Sequence, residues 1–229
     1  MYFNARSITH KKFYFEELVI SKQPDFILIT ESWLNSHYHD SEFPLSRYNM
    51  IRFDRALNRR GGGLLVYVNT AFQIVSAEKE TTTCGTESIW CKIANERQTL
   101  ILACIYRPPA VINSSSSELE LDNPFDSLLN SKLTKYLMYP VILCGDFNYP
   151  HINWLTNTFP ANLDSLRHII DFFSLTHFYE PTRANAVLDL IFSNPSELIS
   201  SVSLLEPLHN RDHAVLEADI NLPIRITPP

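Results

Sequence analysis

Short runs of β-branched and aliphatic residues recur along the whole chain, near 25–31, 63–69, 87–94, 99–106, 140–145, 187–193 and 214–220. Each has the length and composition of a buried strand, so the chain has to fold around sheets. Helical spacing interrupts them. Phe125, Leu128, Leu129, Leu133 and Leu137 recur at steps of three and four, with Asp126 in a plausible first turn; Leu163, Leu166, Ile169, Ile170 and Phe173 do the same, and a weaker pattern runs from His10 to Ser21. These apolar stripes are core-facing. In a chain of 229 residues, this order predicts one domain over 1–229 of mixed α/β (α+β) class, with two sheets face to face and helices outside. Polar strand ends would then gather at one rim.

Several runs end in acids. Val141-Ile142-Leu143-Cys144 leads directly into Gly145-Asp146-Phe147-Asn148, with a glycine to bend the chain, a carboxylate, and an amide two positions on. An ordinary Asp/Asn turn accounts for these residues as well as a site does. Glu31 ends the run Phe26-Ile27-Leu28-Ile29, and Asp189 lies inside Val187-Leu188-Asp189-Leu190-Ile191-Phe192. Alternation sets Leu188, Leu190 and Phe192 on one face and Asp189 with Ile191 on the other, so this carboxylate either meets solvent or needs a partner. Asp212-His213, before the run Ala214 to Ile220, offers one. Singly each is an ordinary edge residue; together they point to a site.

Composition narrows the class. Hydrophobic content of 45% and charged content of 19% describe a compact globular protein without a disordered tail. The stretch from Leu100 to Ile105 is too short to cross a bilayer and the N-terminus lacks a secretory pattern, so the expectation is an intracellular protein with no membrane partner. Cys84, Cys91, Cys104 and Cys144 show no paired metal spacing, which argues for buried free thiols and against zinc or disulfides. The net charge of −6 speaks against nucleic acid, yet Arg47, Arg52, Arg55, Arg59 and Arg60 face only Asp54 in their segment, while Glu118, Glu120 and Asp122 lie in a distant polar loop. That segment reads either as a solvated loop or as a phosphate-contacting patch; its place among the motifs favours phosphate. Gly61-Gly62-Gly63 lacks the lysine and helix of a P-loop and instead lets a strand start close to its neighbour. Ser114 to Ser117 reads as a mobile surface loop, and no internal repeat is present.

Taken in order, the motifs resemble the endonuclease/exonuclease/phosphatase superfamily, and more narrowly the apurinic-like endonuclease domain of LINE-type non-LTR retrotransposons. Asn4-Ala5-Arg6-Ser7 looks like the opening motif, and Ile29-Thr30-Glu31-Ser32-Trp33-Leu34 is similar to the segment that supplies the metal-binding glutamate. Arg55 with Gly61-Gly62-Gly63 through Val68, and Tyr106-Arg107-Pro108-Pro109, resemble the retroelement branch. Gly145-Asp146-Phe147-Asn148, Pro181-Thr182-Arg183 with Asp189, and Asp212-His213 resemble the later motifs.

The resemblance implies a four-layer α/β sandwich of two mainly antiparallel sheets flanked by helices, here with a truncated first strand. It implies DNA as partner, a magnesium or manganese cofactor, and hydrolysis of phosphodiesters, in the nucleus where the DNA is chromosomal; no protein partner is readable. Glu31, Asn4 and Asp212 are the expected metal residues. Asp146, His213, Asp189, Tyr106 and Asn148 are the expected catalytic ones, and Arg55, Arg59, Arg60, Arg107 and Thr182 the expected phosphate contacts. Whether Asp146 or His213 takes the proton stays open. Arg211 replaces a usual serine beside the histidine motif, the chain begins three residues before Asn4, and no polymerase follows Pro229. The sequence therefore also admits a decayed nucleic-acid-binding fragment, or a phosphatase or lipid phosphodiesterase of the same superfamily.

Overall fold

The computed structural model describes residues 1–55, 61–96, 98–109, 119–178, 182, 186–209 and 213–222. Its elements are β1 (Tyr2–Asn4), α1 (Lys12–Lys22), β2 (Phe26–Thr30), β3 (Tyr48–Phe53), β4 (Leu64–Asn69), β5 (Gln73–Thr81), β6 (Glu87–Ala94), β7 (Thr99–Tyr106), α2 (Leu119–Lys135), β8 (Val141–Asp146), α3 (Asp164–Phe172), β9 (Thr176–Phe178), β10 (Asp189–Asn194), β11 (Ile199–Leu205) and β12 (Val215–Ile220).

The strands form two six-stranded sheets, ordered β11-β12-β1-β2-β4-β3 and β5-β6-β7-β8-β10-β9. Each is antiparallel apart from one pair, β1 with β2 in the first and β7 with β8 in the second. Parallel neighbours need a crossover, and helices supply it: α1 lies between β1 and β2 in the chain, α2 between β7 and β8.

Strand alternation assigns every apolar residue to a layer. Tyr2, Phe26, Leu28, Leu64, Val66 and Val68 of the first sheet meet Ile89, Cys91, Leu102, Cys104, Ile142, Cys144 and Ile191 of the second. The opposite face of the first sheet, Phe3, Ile27, Ile29, Leu65 and Tyr67, packs on Phe15 and Val19 of α1. The opposite face of the second, Ile101, Ala103, Ile105, Leu143, Leu190 and Phe192, packs on Phe125, Leu129 and Leu133 of α2 and on Leu166 and Ile170 of α3. Helix, sheet, sheet, helix: period-2 alternation separates the two faces of each sheet, and the apolar stripes of the helices cover the outer ones to give four layers.

Several expectations change. The segment from Arg47, expected as a solvated loop or, preferably, a phosphate-contacting patch, contains β3, whose Arg52 is committed to Asp54 at 2.6 Å and Asp40 at 3.0 Å. The charge of Arg52 is therefore matched by the protein's own carboxylates. Helix α2 begins at Leu119, so Glu120 and Asp122 are helical rather than in a loop, and Asp126 falls well inside the helix; leucine and glutamate ahead of it are good helix formers and carry the helix back. Gly145 does not bend the chain. It pairs in register with Ile105 and Leu190, and a Cβ there would lie 2.1 Å from the Ile105 carbonyl oxygen, so the glycine permits close strand approach. The thiols are free as anticipated, with Cys91, Cys104 and Cys144 buried and Cys84 half-buried. No described helix is long and apolar enough to cross a membrane. Ser114 to Ser117 lies outside the described residues.

Candidate active site

Parity explains which polar side chains meet. Asn4 shares the inner face of β1 with Tyr2, Tyr106 that of β7 with Cys104, Asp146 that of β8 with Cys144, and Asp189 that of β10 with Ile191. All stand at the same rim, where the parallel strands β1, β2, β7 and β8 end. Asp189 and Asp146 are register partners, as are Tyr106 and Asp146.

Glu31 joins them by a turn. Continued alternation would send it with Ile27 and Ile29 towards α1, but the backbone there is left-handed (φ 52°), as it is at Arg6 (40°), Ser7 (82°), Trp33 (57°) and Asn148 (49°). Such non-glycine conformations each cost about 1–3 kcal/mol and gather where a site must be shaped. The Glu31 carboxylate then accepts from Asn4 Nδ2 at 3.2 Å and from Trp33 Nε1 at 3.0 Å. Asn4 Nδ2 also donates to Asp146 Oδ2 at 2.8 Å, so one amide joins the acid of one sheet to that of the other.

Asp189 is fully enclosed, and one oxygen accepts from the Tyr2 phenol at 2.7 Å while the other lies 2.7 Å from His213 Nδ1. Thr182, expected at phosphate, is buried with its hydroxyl accepting from the Asp189 amide at 3.3 Å, and its carbonyl accepts from Ala214 at 2.9 Å, so it braces the segment that carries His213. Ligand atoms of Asp146, Asp189 and His213 all lie within 4.8 Å of one another.

Electrostatics follow from burial. Asp146 has its proton affinity raised well above the usual carboxylate range, first by burial and then by Asp189 and Glu31, against the opposing Asn4 hydrogen bond. Tyr106 is likewise raised, by burial and then by the nearby Glu31 and Asp146 carboxylates. Three carboxylates thus press on one another around an amide and an imidazole. A hard divalent cation, which prefers oxygen ligands, fits this donor set, and no cysteine is needed.

Asn148 donates Nδ2 to the Arg107 carbonyl at 2.7 Å while Arg107 Nη1 donates to the Asn148 carbonyl at 3.1 Å, a reciprocal clamp of the loops after β7 and β8, and the guanidinium lies 4.0 Å from the Tyr149 ring centre. Arg55 sits beside Tyr106 and pairs with Glu87. Arg59, Arg60, Arg211 and Asp212 lie outside the described residues, as do Pro181 and Arg183. The sequence reading missed Tyr2, Trp33 and Glu87. Parity was the available signal for two of them: Tyr2 shares a face with Asn4, and Glu87 with Ile89, Cys91 and Ile93.

The architecture has many solved counterparts. The human Nocturnin catalytic domain with bound sulfate superposes with a TM-score of 0.64 at 18% identity, covering 91% of this chain and 86% of that one. The AP endonuclease LMAP from Leishmania major gives 0.67 at 13% identity over 97% and 87%, and the 3′ phosphatase NExo from Neisseria bound to product DNA hairpin gives 0.69 at 12% over 96% and 99%. At such identities the likeness is one of fold. No curated protein sequence matches the chain. Its own sequence supplies the assignment: residues 1–218, from the amide at the end of β1 to the strand behind His213, match one family pattern, and the chain belongs to the Endonuclease/Exonuclease/phosphatase family.

Proposed function

We propose that the chain is a divalent-metal-dependent endonuclease that hydrolyses DNA phosphodiesters, nicking one strand as in retrotransposon target-site cleavage. One observation carries this reading: Asn4 ties Glu31 to Asp146, and Asp146, Asp189 and His213 converge within 4.8 Å at the same rim. The family groups metal-dependent phosphoester hydrolases, and the order of motifs here resembles that of the LINE-type branch. DNA as substrate is supported further by neighbours whose structures hold a DNA hairpin or single-stranded DNA product.

Glu31, set by Asn4 and Trp33, would hold magnesium or manganese together with oxygens of the Asp146 group. When bound, such an ion neutralises phosphate charge and polarises the phosphorus. Asp146, with its raised proton affinity, takes the proton from an attacking water and aligns it. His213, fixed through Nδ1 by Asp189, presents its other nitrogen to a nonbridging oxygen. Tyr106, a phenol protonated at neutral pH and held more firmly so by its burial beside carboxylates, donates to the phosphate. The water oxygen bonds phosphorus, which stays on the downstream strand as a 5′-phosphate, while the bond to the 3′ oxygen breaks and that oxygen takes a proton from solvent water to leave a 3′-hydroxyl.

A phosphatase is the second reading, since a mannosyl-6-phosphatase from Bacteroides thetaiotaomicron shares the fold with a TM-score of 0.64 at 13% identity. Supercoiled plasmid and sugar or inositol phosphates, each with and without magnesium, separate the two. Asp146→Ala and His213→Ala should each lower nicking by on the order of 10²–10⁴ while the circular dichroism spectrum stays that of the parent. Full activity in either variant would overturn the assignment.

A further inference from the structure

One buried carboxylate belongs to neither the Asp146 group nor its immediate partners. Glu87 opens β6, is 1% exposed, and is the register partner of Tyr106. A carboxylate at such depth requires donors, and both come from the connection between β3 and β4 of the opposite sheet: the Gly63 amide at 2.7 Å and Arg55 Nε at 2.5 Å. Arg55 places its guanidinium carbon 5.2 Å from the Tyr106 ring centre. On the other side a Cβ at Gly62 would come within 2.4 Å of the guanidinium carbon and Nε, and the backbone there is left-handed (φ +70°). Only glycine leaves that slot open. With Nε bound to Glu87 and Nη2 sealed from solvent without a hydrogen-bond partner among the described residues, the side chain is built inward.

We infer that the Glu87–Arg55 pair is a positioning device for Tyr106: Glu87 holds Arg55, Arg55 packs against the phenol ring, and the ring is thereby set beside Glu31. Arg55 acts through Tyr106 and makes no direct phosphate contact. The opposite charges cancel, so the pair adds no net attraction for DNA. Gly62 and Gly63 serve the same arrangement, one by making room for the guanidinium and the other by donating its amide.

The catalytic arm of the test rests on the hydrolase reading; the spectroscopic arm does not. In plasmid nicking with magnesium, Arg55→Gln and Glu87→Gln should each lower kcat by about tenfold to a hundredfold with KM within about twofold of the parent. Arg55→Gln combined with Tyr106→Phe should be no slower than the slower single variant, because both remove one interaction. A raised KM with unchanged kcat and a shallower salt dependence would mean direct phosphate contact and overturn the inference, as would multiplicative losses in the double variant. Independently, the ring resonances of Tyr106 in tyrosine-labelled protein, assigned by their loss in Tyr106→Phe, should shift in Arg55→Gln and partly return in Arg55→Lys. Unmoved resonances would overturn the positioning role whatever the activity. If the resonances move but the parent never nicks, the hydrolase reading fails and the positioning role stands. Should Glu87→Gln not fold, the Arg55 variants carry the test.

Discussion

Asp189 shows how far one side chain depends on its neighbours. Its oxygens are divided between the Tyr2 phenol and His213 Nδ1, each at 2.7 Å, and Tyr2 Oη also lies 3.0 Å from Thr30 Oγ1. Tyr2→Phe withdraws the donor from a carboxylate that cannot reach water. The expected cost is about 1–3 kcal/mol, read by calorimetry as a fall of about 2–4 °C in Tm per kcal/mol. His213 keeps its own bond to Asp189, so nicking by Tyr2→Phe should fall less than by His213→Ala; a parental Tm would show that the phenol contributes nothing. Patterning alone made Glu31, Asp146, Asp189 and His213 visible, because each closes, interrupts or precedes an apolar run, whereas Asn4 and Tyr106 were picked out by the motifs that carry the family resemblance. Tyr2 and Glu87 were hidden because an aromatic in a strand or an acid at its first position looks ordinary, and Trp33 because it lies in the irregular segment after β2. Arg55 looked like free charge because the Glu87 that neutralises it lies 32 positions away in the chain, and Arg52 because its second carboxylate, Asp40, lies 12 positions away on the far side of the segment from Asp54.

Among elements, the strands that patterning revealed are all interior ones; those it missed are the three-residue β1, too short to show a pattern, and the four sheet edges β3, β5, β9 and β11. An edge strand has one neighbour and a wetter face, so it carries serines, charges and short runs in place of continuous apolar residues. β5 illustrates the point. Its Gln73-Ile74-Val75-Ser76-Ala77-Glu78-Lys79-Glu80-Thr81 is mostly half-buried or exposed, and Glu78 faces α2, where Lys132 donates at 2.7 Å, Lys135 at 2.6 Å and the Tyr136 phenol at 2.6 Å. These donors hold the Glu78 carboxyl down to about 2. A depressed acid stabilises fully above its unfolded value, about 4.3, and the contribution is lost as pH falls through the folded one. Glu78 is 29% exposed, so screening reduces the effect to on the order of 1 kcal/mol. Glu78→Gln should lower Tm by about 2–4 °C at pH 7, and the two Tm curves should converge as pH approaches 2. Parallel curves over that range would show that the network does not anchor α2 to the edge.

Across the whole molecule, the two sheets are tied at the rim by polar bonds that pass from one to the other: Tyr2 to Asp189, Asn4 to Asp146, and Gly63 with Arg55 to Glu87. Between these ties Glu31, Asp146 and Asp189 repel one another, which lifts the proton affinity of Asp146. The fold therefore stores like-charge repulsion at the place where a divalent cation fits, and cation binding and folding must be linked. Magnesium or manganese should raise Tm saturably, by about 2.7 kcal/mol of added stability at a hundredfold excess over Kd, or about 5–11 °C for a chain of this size. Sodium chloride at equal ionic strength should not. Glu31→Gln and Asp146→Asn should change both ends of that comparison in opposite senses: without metal the variant melts at or above the parent because repulsion is relieved, and with metal it gains much less. The melting curves need no substrate, so the result stands apart from any assay of nicking. An equal metal-induced rise in Glu31→Gln, Asp146→Asn and parent would place the cation elsewhere and remove the electrostatic basis for the rim as a hydrolytic centre.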